Sequence, residues 1–225
     1  SVVGNLGQPP VVERLEIDAG GLRATGSVFV KADGGLDVAR FDAVQLGRTF
    51  DGALDLRGRG RGRPVGVVVR GGVADLRTAA FGGGGTGGQD MPIDVTLDRL
   101  RISDTISLTG FRGQFSTAGG FNGTFTGQVN DAAVVDGTAV PVGGGTGFRV
   151  RSDNAGGVLA AAGIFAKGRG GSLQMTLRPT GEAKTYDGDA KIENFRVTDA
   201  PVLAELLGVI SVVGLLEQLN GQGIA

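Results

Sequence analysis

The chain has 225 residues, 44 of them glycine, with 22 Lys or Arg against 23 Asp or Glu and a formal net charge of −1; it has no His and no Cys. So even a balance creates no global field that would draw in nucleic acid or an anionic membrane. The absence of His removes the side chain that most often does acid–base work near neutral pH, and the absence of Cys excludes a disulfide-stapled scaffold.

From the start to about residue 150 the apolar residues alternate with polar ones, the period of a half-buried strand. Leu22, Ala24, Gly26, Val28 and Val30 share one face, opposite Arg23, Thr25 and Ser27. Arg57 to Arg63 alternates Arg with Gly. Such runs contact RNA in disordered segments, but no aromatic residue interleaves here and strand-like runs flank it, so a solvated hairpin tip is expected and nucleic acid is not. The Gly82–Gly88 and Gly143–Gly147 stretches read as loose turns, because neither supplies the Lys of a phosphate-binding loop.

Further on, Ile93, Val95 and Leu97 alternate with Asp94, Thr96 and Asp98, and Ile106 and Leu108 with Thr105, Ser107 and Thr109. Phe121, Gly123, Phe125, Gly127 and Val129 alternate with Asn122, Thr124, Thr126 and Gln128. Turn signals separate these runs, among them Asp33-Gly34-Gly35, Gly71-Gly72, Ala118-Gly119-Gly120 and Asp136-Gly137. Strands at this spacing make an antiparallel meander with one apolar and one polar face. A sandwich, a barrel and an open curved sheet all satisfy that pattern.

After residue 150 the texture changes. Asp153 is a candidate N-cap for a short helix through about Ile164, weakened by Gly156-Gly157. Leu173, Met175 and Leu177 give a strand face. The next strand, about 185–198, switches parity near Asn194, which predicts a bulge or bend. Asp199 and Pro201 then open a segment to Leu216 that is apolar on almost every face, carries the single charge Glu205 and is shorter than the ~20 residues that span a bilayer. Gly208 and Gly214 divide it into two short helices. The expected organisation is a sheet segment over 1–150 and a C-terminal segment over 151–225.

Carboxylates such as Asp94, Asp98, Asp104, Asp131 and Asp136 occur singly, and no nucleophile has a base beside it, so no enzyme, metal or cofactor is expected. On the residues alone the stripe Ile93, Val95, Leu97, Ile106, Leu108, Phe121, Phe125, Phe148, Val150, Leu173, Met175, Leu177 and Ile192 reads as core.

Several ordered pieces of the last third resemble the C-terminal region of AsmA-like proteins of the TamB/YhdP type, in their alphaproteobacterial form. They are Asp153 to Leu159, Arg169-Gly170-Gly171-Ser172-Leu173, Phe195 to Leu207 and Ile210 to Ile224. The resemblance covers about residues 90–225, and the part before it is similar in texture only. It implies a mainly β fold: a long, curved antiparallel meander sheet forming an open groove, with short α-helices near the C-terminus.

It also implies a fragment of a bridge-like lipid transfer protein, periplasmic and anchored in the inner membrane in its full length. The stripe would then contact phospholipid acyl chains moving between inner and outer membranes. Val202, Leu203, Leu206, Leu207, Ile210, Val213 and Leu216 would close or dock the groove end. The start at Ser1 without Met fits a piece of something longer. The rival expectation is a non-catalytic extracytoplasmic sandwich or solenoid, acting as scaffold or adhesin-like module.

Overall fold

The computed structural model describes residues 2–3, 10–78, 89–143, 145–182 and 185–198. The strands in chain order are β1 (Val2–Val3), β2 (Val11–Ala19), β3 (Leu22–Val30), β4 (Leu36–Leu46), β5 (Phe50–Arg57) and β6 (Gly66–Asp75). They continue with β7 (Pro92–Arg101), β8 (Ser107–Ser116), β9 (Asn122–Val129), β10 (Ala133–Val142) and β11 (Gly145–Ser152). One helix, α1 (Ala155–Ala161), precedes β12 (Gly168–Arg169), β13 (Ser172–Pro179), β14 (Tyr186–Glu193) and β15 (Arg196–Val197).

Thirteen of these strands lie side by side in chain order, from β1 through β11 to β13 and β14, while β12 and β15 pair separately. The order begins at β1 and ends at β14 without joining them, so the sheet is curved but open, as the resemblance implied. It runs past residue 150 without a break, because β11 pairs with β13.

One join departs from the expected meander. β6 and β7 are parallel, Val69 standing beside Val95. A buried carboxylate network fixes that join. Leu76 donates its N–H to Arg101 O at 2.9 Å, and Arg77 donates its Nε–H to Asp75 Oδ1 at 2.9 Å while also pairing with Asp104. The Arg77 side chain and its backbone N–H hold the Asp75 carboxyl down at about 2, against an ordinary value of 3.8.

The curvature has a visible source. Register shifts occur between Thr25 and Gly26, Phe41 and Val44, Ala53 and Leu54, and Thr109 and Arg112. Those on β3, β4 and β5 lie at one level, since Gly26 pairs with Phe41 and Phe41 with Leu54. A bulge bends and twists its strand, and a row of them bends the sheet along one line. Gly72 serves this row with a φ of +110°, its N–H donated to Asp98 Oδ2 at 3.0 Å. A Cβ there would stand 2.2 Å from Asp51 O, closer than any side chain tolerates.

Helix α1 starts one residue later than expected. Its N-cap is Asn154, whose Oδ1 accepts the Gly157 N–H at 2.9 Å, and Asp153 is exposed. It ends at Ala161 rather than near Ile164, because Gly163 takes a φ of +73° and the Ile164 N–H turns back to Leu159 O. The parity switch at Asn194 is more than a bulge. Asn194 has a φ of +55°, β14 stops at Glu193, and the chain leaves the large sheet to pair as β15 with β12.

Candidate functional site

Cross-strand registry turns the alternation into two continuous rows. The first runs Leu15, Gly26, Phe41, Leu54, Val69, Val95, Gly113, Phe125, Gly137, Val150, Met175, Ala190, each residue the direct partner of the next. The second runs Val12, Val28, Ala39, Leu56, Val67, Ile93, Phe115, Gly123, Ala139, Phe148, Leu177, Gly188 in the same way. Neither row contains a polar side chain. Strands about 4.8 Å apart make each row roughly 50 Å long.

The intervening row, on the opposite face, reads Ser27, Arg40, Asp55, Val68, Asp94, Gln114, Thr124, Thr138, Arg149, Thr176, Asp189. One valine stands among charges, hydroxyls and an amide. Side chains alternate across a strand, so the sheet has one apolar and one polar face from β2 to β14.

Of the thirteen stripe residues, eleven lie on strands of the apolar face; Ile106 and Phe121 lie at turns flanking β8 and β9. Phe121 stacks on Phe115 at 4.8 Å, Phe115 on Phe111 at 6.5 Å, and Phe111 on Phe125 at 5.7 Å. Leu97, Leu108 and Leu173 are buried, and the other ten are partly exposed. Val202, Leu203, Leu206, Leu207, Ile210, Val213 and Leu216 lie outside the described residues.

The stripe begins at Ile93 and leaves out the N-terminal part of the face, of which the alternation assigns Leu22, Ala24, Gly26, Val28 and Val30 to one strand face. Leu15, Ile17, Leu22, Val28 and Leu36 pack on a buried cluster of Ala24, Ala39, Phe41 and Val44, and Phe50 touches both this cluster and the one around Leu97 and Phe111. The apolar surface therefore extends through residues 11–75. Leu15 and Ile17, alternating with Arg14, Glu16 and Asp18, were the available signal.

Beyond neighbouring strands, α1 is the element packed on the sheet among the described residues, Val158 and Ala161 lying on the Leu97 cluster. Asn130 clamps it there. Its Nδ2 donates to Ala161 O and to Thr105 O, both at 2.7 Å, while its Oδ1 accepts Ser107 N–H at 2.9 Å. The second sheet among the described residues is the two-stranded β12–β15 pair, which contacts α1.

A hollow of about 700 Å³ draws most of its lining from the polar face, with Val69, Val95 and Phe125 of the apolar row also contributing. Arg112, Gln114, Thr124, Asp136, Thr138, Arg149 and Arg151 line it. A twisted sheet is saddle-shaped, so each face is concave along one diagonal, and a cavity on one side leaves the other free to form a trough. The apolar lining, rather than the better-defined cavity, is what matches acyl chains chemically.

The Arg57–Arg63 run lies at the β5–β6 connection. Arg59 pairs with Asp90 at 3.1 Å and Arg61 donates to Asp33 O at 3.2 Å, so the run ties neighbouring turns together along one rim. Among the described residues no group of three or more carboxylates is placed to hold a metal ion, and no helix is long and apolar enough to cross a membrane.

These features define a class: a single-layer open sheet with one apolar and one polar face. No family model, curated protein or solved structure matches the chain.

Proposed function

We propose that the protein is a lipid-conducting segment of the AsmA-like type, acting in the periplasm between inner and outer membranes. The observation that supports this reading is the pair of twelve-residue apolar rows that cross the sheet from β2 to β14 without a polar interruption. An acyl chain leaving water gains about 0.8 kcal/mol per CH₂ buried, and a continuous apolar surface collects that gain at every point along it. The headgroup stays wet at the open side, so no lipid-specific pocket is needed. Sliding then replaces binding and release, and the chain supplies a surface rather than a chemistry. Contacts with membranes and envelope partners belong to the full-length protein.

A second reading, a structural scaffold, draws on the near-complete burial of Leu97, Val135 and Ala139, at 4%, 2% and 1% exposure. Such packing suits a dry face. The two readings separate by site-directed labelling, for which a chain without cysteine is ready-made. Single cysteines replace Val95 and Met175 on the apolar face and Thr96 and Thr176 on the polar face, each carrying a spin label. Phospholipid vesicles are expected to immobilise and shield the first pair and leave the second unchanged. Labels on the apolar face that are unaffected by vesicles would support the scaffold.

A further inference from the structure

We propose that the hollow on the polar face is a second binding site, for a hydroxyl-rich anion of the acidic-oligosaccharide class. The proposal is independent of the lipid reading, because it concerns the other side of the sheet.

The site is built from strands β6 to β11, with its charged side chains on β7 to β11. Arg112 faces Thr126, Thr126 faces Asp136, and Asp136 faces Arg151, while Arg149 faces Thr138 one step along. Opposite charges placed directly across a strand pair ordinarily close on each other. Elsewhere on this face opposite charges meet even at a diagonal or over two strands: Arg178 reaches Asp189 at 2.9 Å, Arg70 reaches Asp42 at 3.0 Å and Arg99 reaches Asp131 at 3.3 Å. Within the hollow they do not. Among the described residues Arg112, Arg149, Arg151, Asp94 and Asp136 form no ion pair and no side-chain hydrogen bond, although Asp136 and Arg151 are Cα partners. The groups stand apart around an open volume of about 700 Å³.

That lining selects the ligand. Three guanidinium forks bind carboxylate or phosphate bidentately, which a hydroxyl or an amide does not match. β8 and β11 are three strand spacings apart, roughly 14 Å between backbones, a span that an extended ligand with repeated anionic groups can follow from Arg112 to Arg149. Asp94 and Asp136 accept from ligand hydroxyls, and Gln114, Thr124 and Thr138 add neutral donors and acceptors. The two carboxylates oppose a dense phosphate backbone, and the aromatic residue of the lining, Phe125, lays its ring over Gly137 and against Phe111 rather than offering it to a base, so a nucleic acid fits poorly. The volume falls in the range of pockets that hold ligands of a few rings.

The test is titration of the lipid-free, isotope-labelled protein with tetragalacturonate, followed by amide NMR, with neutral maltotetraose and inorganic tripolyphosphate in parallel. Saturable shifts confined to β6–β11 are expected with tetragalacturonate, at least about tenfold weaker with maltotetraose and with tripolyphosphate. The double variant Arg149→Gln/Arg151→Gln is expected to lose at least about tenfold in affinity. Its partly solvated positions protect the fold, which an unchanged spectrum outside the hollow verifies. Arg57→Gln/Arg63→Gln, elsewhere on the surface, is expected to bind as the parent does. No saturable shift below about 10 mM overturns the proposal. So does equal binding by the hollow variant, or equal affinity for tripolyphosphate, which would mark attraction by charge alone.

Discussion

Phe125 on β9 and Gly137 on β10 are direct cross-strand partners, and the ring of the one covers the bare Cα of the other. A Cβ built on Gly137 would stand 2.1 Å from Phe125 Cζ. The same device recurs one step away, where a Cβ on Gly123 would meet Phe115 Cδ1 at 2.7 Å. Glycine here makes room for rings lying flat on the sheet, which smooths the apolar face into a surface. Gly137→Ala is expected to lift the Phe125 ring away from Phe111 and cost about 1–3 kcal/mol, the usual cost of overpacking. Pairing it with Phe125→Leu should recover part of that loss in a double-mutant cycle by urea unfolding. Strict additivity of the two changes would show that the ring and the glycine are not coupled.

The bulge row gives a second expectation. Gly72 combines a φ of +110° with a backbone oxygen 2.2 Å from any added Cβ. Gly72→Ala is expected to destabilise by roughly 2–4 kcal/mol, through strain and through distortion of the β5–β6 pair. Gly34 also has positive φ, at +80°, but open space around it, so Gly34→Ala should cost only about 1 kcal/mol. Thermal unfolding of the two variants side by side checks the ranking.

Asn130 supplies a third. With Asp131 it forms a turn in which both residues have positive φ, 46° and 62°, the geometry of a type I′ hairpin. Asn130→Gly keeps the turn and removes the clamp on α1, and Asn130→Ala removes both. The expected order of stability is parent, then glycine, then alanine, with the first step about 1–3 kcal/mol for polar groups left without partners. Amide exchange in α1 should accelerate equally in both variants.

Acid should weaken the parallel join. The folded Asp75 carboxyl sits at about 2, below its ordinary 3.8, so the folded state binds fewer protons than the unfolded one between those values. Its contribution is therefore fully present above about pH 4 and is lost as pH falls from there towards 2. The gap in unfolding free energy between the parent and Asp75→Asn is expected to narrow over that window and stay constant from pH 5 to 7. A gap that does not change with pH would mean that the Arg77 contacts do not favour the charged form.

How much of this was legible depends on where bulges fall. Between Ile93 and Leu97 or between Leu173 and Leu177 the period of two is intact, and faces could be assigned directly. In β4 the apolar face passes from Phe41 to Val44, a step of three, because a bulge intervenes. β8 does the same from Leu108 to Phe111. Each such step inverts the parity, so the face assigned to Leu22–Val30 could not be followed across β4 from the sequence. The parallel β6–β7 join was hidden for another reason: turn residues announce that a chain reverses, not which neighbour it rejoins. The hollow was invisible because residues on six strands make it, and no local run of sequence contains them.

The central claim is that the apolar face takes up acyl chains, and native mass spectrometry of the detergent-free protein after incubation with phospholipid vesicles tests it most directly. The account predicts adducts at phospholipid mass on the parent, lost in Val95→Asp/Met175→Asp while circular dichroism still reports a sheet. A parent that remains at its unliganded mass through the same incubation would contradict it.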